Sequence, residues 1–182
     1  MSTLKDLRDW VQLAFVIIGG IVALLAFYQN LRQRRVENAL KFIALFRDGL
    51  HDNDIKYWDE LFRSSSELTG VKPGYYLQKG ETLRPITDYF SEGPPDDHAI
   101  ARMAAALDVV CHQVIAGSAD AKTVYYELGQ LLSSIHFWLA SSKASVPNKT
   151  LLQVAYPSID KFFMRFAPEK SSWPSRVYAF IE

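Results

Sequence analysis

WVQLAFVIIGGIVALLAFYQNL, residues 10–31, is 22 residues without a charge, and it governs how the rest of the chain folds. At a rise of about 1.5 Å per residue, a helix of that length covers the roughly 30 Å hydrocarbon layer of a bilayer. The helix of a soluble core is seldom apolar on every side over such a distance. A cleaved signal peptide has a shorter apolar run of about 7–15 residues and a small-residue cleavage site after it. Here bulky Phe27 and Tyr28 follow, then charged sequence. The segment is therefore expected to persist as a single-pass transmembrane anchor.

Its flanks suggest an orientation. Trp10 and Tyr28 stand near the two ends, where amphipathic aromatics favour the headgroup layer. Arg32, Arg34, Arg35 and Lys41 follow the span, whereas only Lys5 and Arg8 precede it. Basic loops stay inside, so the large domain is expected in the cytoplasm. Within the span Gly19 and Ala23 lie four apart, and Gly20 and Ala26 extend a surface of small residues on which another helix can approach closely. Gln12 adds a polar atom that is costly in lipid alone.

Beyond the anchor about 150 residues remain, enough for one domain with its own core. The chain carries 20 basic and 20 acidic side chains, and the part after the span is also neutral. The positive excess by which nucleic-acid binders capture phosphates is missing, so a dedicated DNA-binding role is disfavoured. A single cysteine, Cys111, permits no internal disulfide and no cysteine-rich zinc site.

No Gly or Pro falls between Ile21 and Asp48, so the membrane helix should run on as a rigid stalk through RRVENALKFIALFRD. Val36, Leu40 and Ile43 share the spacing of one helical face, with Phe42 and Phe46 beside it. That face packs either on the domain's own core or on the stalks of neighbouring subunits. After Gly49, Asp52 or Asn53 is placed to cap a second helix ending near Ser64 and carrying Ile55, Trp58, Leu61 and Phe62. Residues 65–95 are rich in Gly, Pro and Ser and read as an irregular insertion in which YYLQ and LRPITDYF form short pieces.

Asp96 or Asp97 caps a third helix with Ile100, Ala104, Leu107, Cys111 and Val114 on one face, ending at Gly117. Asp120 caps a fourth with Val124, Leu128, Leu131, Ile135 and Leu139, antiparallel to the third. Leu151–Phe166 gives a fifth, restarted at Pro157, and Trp173–Phe180 a short closing helix. The fold class is mainly α: a segment 1–31 with the transmembrane helix, continuing into a cytoplasmic helical bundle, 32–182, with the insertion at 65–95.

Chemistry is sparse. His51, His98, His112 and His136 form no metal-binding spacing with acidic neighbours, so neither a metal nor a cofactor is expected. Asp108 and His112, four apart, would touch on a helix, either as an oriented base or as an ordinary side-chain pair. Cys111 and His112 are adjacent and point about 100° apart, so they cannot act as thiol and base. There is no phosphate-cradling glycine loop and no GxSxG serine signature.

The anchor with NLRQRRVENALKFIALF, and the later stretch ARMAAALDVVCHQVIAGSADAKTVYYELGQLL, resemble a domain-of-unknown-function family of small bacterial membrane-anchored helical proteins. In size and layout the chain is more distantly similar to the membrane accessory proteins of type VI-B CRISPR systems, which have a nuclease-like helical domain and assemble into membrane rings. That fold normally shows Arg and His separated by four to six residues, whereas Arg47 and His51 have three between them. The resemblance implies the architecture and a bacterial inner-membrane location, and it brings no activity with it. The small-residue anchor face, the continuous helix and the absence of a chemical site lead instead to the expectation of a non-enzymatic, homo-oligomeric membrane effector, pore-forming or membrane-perturbing, in stress or phage defence. Two other readings stand beside it. One is a tethered RNA-binding or RNA-cleaving domain using Arg102, His112 and His136. The other is a membrane-anchored sensor or scaffold whose insertion meets a protein partner or small signal.

Overall fold

Apolar run and charged stalk form one uninterrupted helix, α1 (Ser2–Asp48), in a computed structural model that describes residues 2–66, 75–78, 82–91, 93, 95–144 and 146–166. Among the described residues one helical stretch, Trp10–Asp48, is long and apolar enough to cross a membrane. The most apolar 18 residues of that stretch have a mean hydropathy of 2.4, and none of them is buried. The rest of the described chain is mainly helical, so the expected fold class holds.

The last third of α1 enters the core. Ala39, Ile43 and Phe46 are buried, packed between α3 (Ala99–Ile115) and α4 (Ala121–Ala140). The stalk thus packs on its own domain. The expected face is off by one position: Leu40 is 50% exposed, and Ala39 takes its place. The 39/43/46 register fits because the small Ala39 lets α1 lie close to the turn before α4, where the Asp120 N–H donates to the Arg35 carbonyl (3.1 Å).

A similar offset governs α2 (Asp52–Ser66). Trp58 and Leu61 are buried as expected, but Ile55 is 56% exposed and Asp54 is buried. The inward register is 54/58/61, and the helix start is organised by Asp54, whose Oδ2 accepts the His51 N–H (2.9 Å), rather than by Asp52 or Asn53 as caps. A polar residue on the inner face is what misled the apolar pattern.

Most of the described residues of the insertion form regular structure. β1 (Tyr75–Gln78) and β2 (Thr82–Pro85) form an antiparallel hairpin with Tyr76 opposite Arg84, and a 3-10 helix follows at Ile86–Phe90. Tyr76, Ile86 and Tyr89 are buried against α2 and α3, so this segment completes the core. The Tyr76 and Tyr89 rings meet at 4.8 Å.

Helices α3 and α4 follow expectation, with a left-handed Gly117 (φ +78°) in the connection and the Asp120 carboxylate accepting from Thr123 N–H (2.9 Å). The α3 start differs in detail. Asp97 and His98 both adopt positive φ, and the Asp96 carboxylate reaches the Ile100 N–H from outside the helix. Cys111 is fully buried, and burial pushes its thiol far above the ordinary range. The fifth helix is two pieces, α5 (Leu151–Ala155) and α6 (Pro157–Phe166). Proline at the first helical position accounts for the restart. The closing helix expected at 173–180 lies outside the described residues.

These contacts fix the direction of each element. The Asn38 amide donates to the Ser118 carbonyl (3.0 Å), so the α3–α4 turn lies at the level where α1 leaves the apolar run. Arg47 meets Glu127 further along both helices, so α1 and α4 run the same way and α3 runs back. Asp108 on α3 holds the start of α6 and Arg165 near its end reaches the Ile115 carbonyl, so α6 runs parallel to α3, towards the apolar run.

Candidate functional site

Every side chain from Trp10 to Asn30 is exposed in the single chain. A Cβ added at Gly19 or Gly20 would meet nothing within 4 Å, so the small-residue face of Gly19, Gly20, Ala23 and Ala26 is open along its length. Just beyond it Arg32, Arg34, Arg35 and Lys41 are all exposed, and none forms an ion pair among the described residues.

At the other end of the stalk, where α1 turns into α2, lies a cavity of about 540 Å³. Its floor is apolar, with Phe46, Trp58, Met103 and Leu128, and its rim carries Arg47, His51, Asp52 and Glu127. The Arg47 guanidinium donates to Glu127 at 2.7 Å across the gap between α1 and α4. Arg47 and His51 thus border a common hollow, but Arg47 is held by a carboxylate.

A polar cluster joins α2 to the start of α3. The Arg102 guanidinium donates to Asp54 at 2.9 Å and to the Asp97 carbonyl at 2.6 Å, and Asp54 is almost wholly buried. Nearby Asp96 is fully buried, and desolvation raises its carboxyl above the ordinary range despite the Ile100 N–H. Burial, reinforced by the Asp88 charge, likewise raises the Tyr76 phenol. Neither Asp96 Oδ1 nor the Tyr76 hydroxyl has a hydrogen-bond partner among the described residues.

The residues suggested for acid-base work do not converge. Arg102 and His112 lie ten residues apart on α3, about 15 Å along the axis. The ring of His136 stacks on Phe163 at 4.2 Å, and burial lowers its pKa. Asp108 is committed elsewhere: its Oδ1 accepts the N–H groups of Ser158 (2.8 Å) and Ile159 (2.9 Å), capping α6 from the neighbouring helix. That removes the oriented-base reading of Asp108 and His112. Among the described residues no group of three His, Cys, Asp or Glu side chains is placed to hold a metal ion.

Sequence reasoning missed Asp54 and the cleft rim. An acidic residue three positions after a helix-initiating residue is a capping signal, and Asp54 after His51 has that spacing. No family model, curated protein or solved structure matches this chain.

Proposed function

We propose that this protein is a non-enzymatic, single-pass inner-membrane protein, with its helical bundle on the cytoplasmic side, that assembles into homo-oligomers through its anchor. It would perturb or permeabilise the membrane during a bacterial stress or phage-defence response, a reading supported by the open small-residue face of the span and the unbroken helix that follows it. The observation that carries this reading is the span itself, uncharged throughout and without an intramolecular partner on any side. Small residues let helix backbones approach within van der Waals contact, and Gly19, Gly20 and Ala23 leave room for that. Ring closure by head-to-tail contacts would gather several spans about one axis. Any pore so formed would be lined by small or apolar side chains, since the span holds no charge to select ions.

The test is the mass of the full chain in detergent, corrected for bound detergent, beside that of a chain beginning at Arg32. A discrete oligomer that requires the first 31 residues supports the proposal. A monomer at every concentration ends it.

One observation favours a second reading, that of a sensor. The 540 Å³ cavity bridges the end of the stalk and the bundle, and its apolar floor and charged rim suit a small amphipathic molecule. Occupying it would change how α1 seats on α4. If a Trp58→Ala variant, which enlarges and opens the cavity, keeps the full biological response, this reading fails.

A further inference from the structure

We propose that the membrane-proximal end of the bundle is a docking face for anionic phospholipid headgroups, so that the domain rests on the bilayer surface rather than hanging from its stalk. The inference rests on the reading of residues 10–31 as a membrane span. Arg35 lies four residues past Leu31, about 6 Å along the helix. A bilayer of roughly 40–45 Å with a 30 Å core has a headgroup layer of similar thickness on each side. The Asp120 N–H bonded to the Arg35 carbonyl (3.1 Å) and the Asn38 amide bonded to the Ser118 carbonyl (3.0 Å) therefore hold the α3–α4 turn at headgroup depth. The end of α6 reaches the same level, because Arg165 contacts the Ile115 carbonyl at the end of α3.

Charge at this level is predominantly basic among the described residues. Arg32, Arg34, Arg35, Lys122 and Arg165 are exposed, and they come from three helices that the fold brings to one end. The described acidic groups at this level are Glu37 and Asp120, which accept from the neutral donors Gln33 (2.8 Å) and Thr123 and keep their charge, so five basic side chains stand against two acidic ones. The neutral chain thus has a basic pole, and it coincides with the end at which the anchor emerges. Each basic residue beside an anionic surface strengthens attachment on the order of fivefold. Lys122 and Arg165 are far from the anchor in sequence, so their contribution separates a docked face from the ordinary basic flank of a span.

The full chain is reconstituted in vesicles of phosphatidylcholine alone or with one third phosphatidylglycerol, carrying nitroxide quenchers on the headgroup or mid-chain. A fluorophore is attached through Ala116→Cys at the proximal end, Ser141→Cys at the far end of α4, or Ala23→Cys in the span; buried Cys111 stays unlabelled. Headgroup quenching at position 116 is expected to be at least twofold stronger in the anionic vesicles, and Lys122→Glu with Arg165→Glu should abolish that gain. The label at 141 should stay unquenched. Equal quenching at 116 and 141, with the label at 23 quenched by mid-chain nitroxide, overturns the docking face and leaves the span intact. Quenching at 116 that is indifferent to both lipid charge and the double substitution overturns it as well. An unquenched label at 23 overturns the span, and the docking face with it.

Discussion

Asp54 and Asp96 are the residues on which the bundle's polar interior turns. Asp54 is nearly inaccessible and is held by Arg102, whose other end reaches solvent. Removing one partner of a buried pair leaves an uncompensated charge, which costs roughly 3–5 kcal/mol; the solvent access of Arg102 places Arg102→Ala near the lower end. Chemical denaturation of the full chain in detergent, compared with wild type, checks this. Asp96 acts in the opposite sense. Its folded-state pKa is raised, so the stability it contributes is complete below the unfolded value near 3.9 and is lost as pH rises through the folded value. Asp96→Asn keeps an acceptor for the Ile100 N–H and abolishes the buried charge. Its melting temperature should exceed that of wild type at pH 7.5, with each 1 kcal/mol giving roughly 2–4 °C, and the gain should vanish near pH 4. A gain of equal size at both pH values would sink this account.

At the scale of single helices, the apolar period located α1 to α4 and assigned the inner faces of α3 and α4, but it placed those of α1 and α2 one position off. Leu40 and Ile55 fit a helical stripe in the sequence, yet both are half exposed, because burial goes to Ala39 and Asp54 beside them. Hydrophobicity alone cannot rank an alanine above a leucine, and close approach to the α3–α4 turn is a long-range fact that no local window contains. Ile43→Ala is expected to cost about 2–4 kcal/mol as a core truncation, whereas Leu40→Ser should stay within about 0.5 kcal/mol. Paired denaturation curves decide between the two registers. The hairpin was legible only as fragments, since four-residue strands give too short an alternation, and the burial of Tyr76 depends on a sheet that α2 and α3 complete. Deleting residues 75–90 removes Tyr76, Ile86 and Tyr89 from the core, so that variant should fail to fold cooperatively instead of reporting on a signal.

For the molecule as a whole, every buried side chain among the described residues from Trp10 onward lies at Ala39 or beyond. A chain beginning at Arg32 should therefore keep its helical circular dichroism and melt cooperatively without detergent. Loss of its helical signal would show that the span is part of the fold and not an attachment to it. The layout of a long apolar helix continuing into a helical bundle was readable because length and hydropathy alone decide it. The cleft at the α1–α2 elbow was not, because Phe46, Trp58, Met103 and Leu128 come from four helices and meet only once these are packed.

Helix α1 has neither proline nor glycine between Ile21 and Asp48, and its far third is clamped between α3 and α4. The apolar run and the stalk consequently share one axis and lack a swivel. From Leu31 the elbow stands about 25 Å along that axis, so a 10° change of inclination, such as a thinner bilayer imposes on a span of fixed length, sweeps the elbow sideways by about 4 Å. If residues 10–31 cross a membrane as proposed, bilayer thickness would be converted into displacement of the Arg47–Glu127 clasp relative to the lipid plane, with no moving part among the described helices.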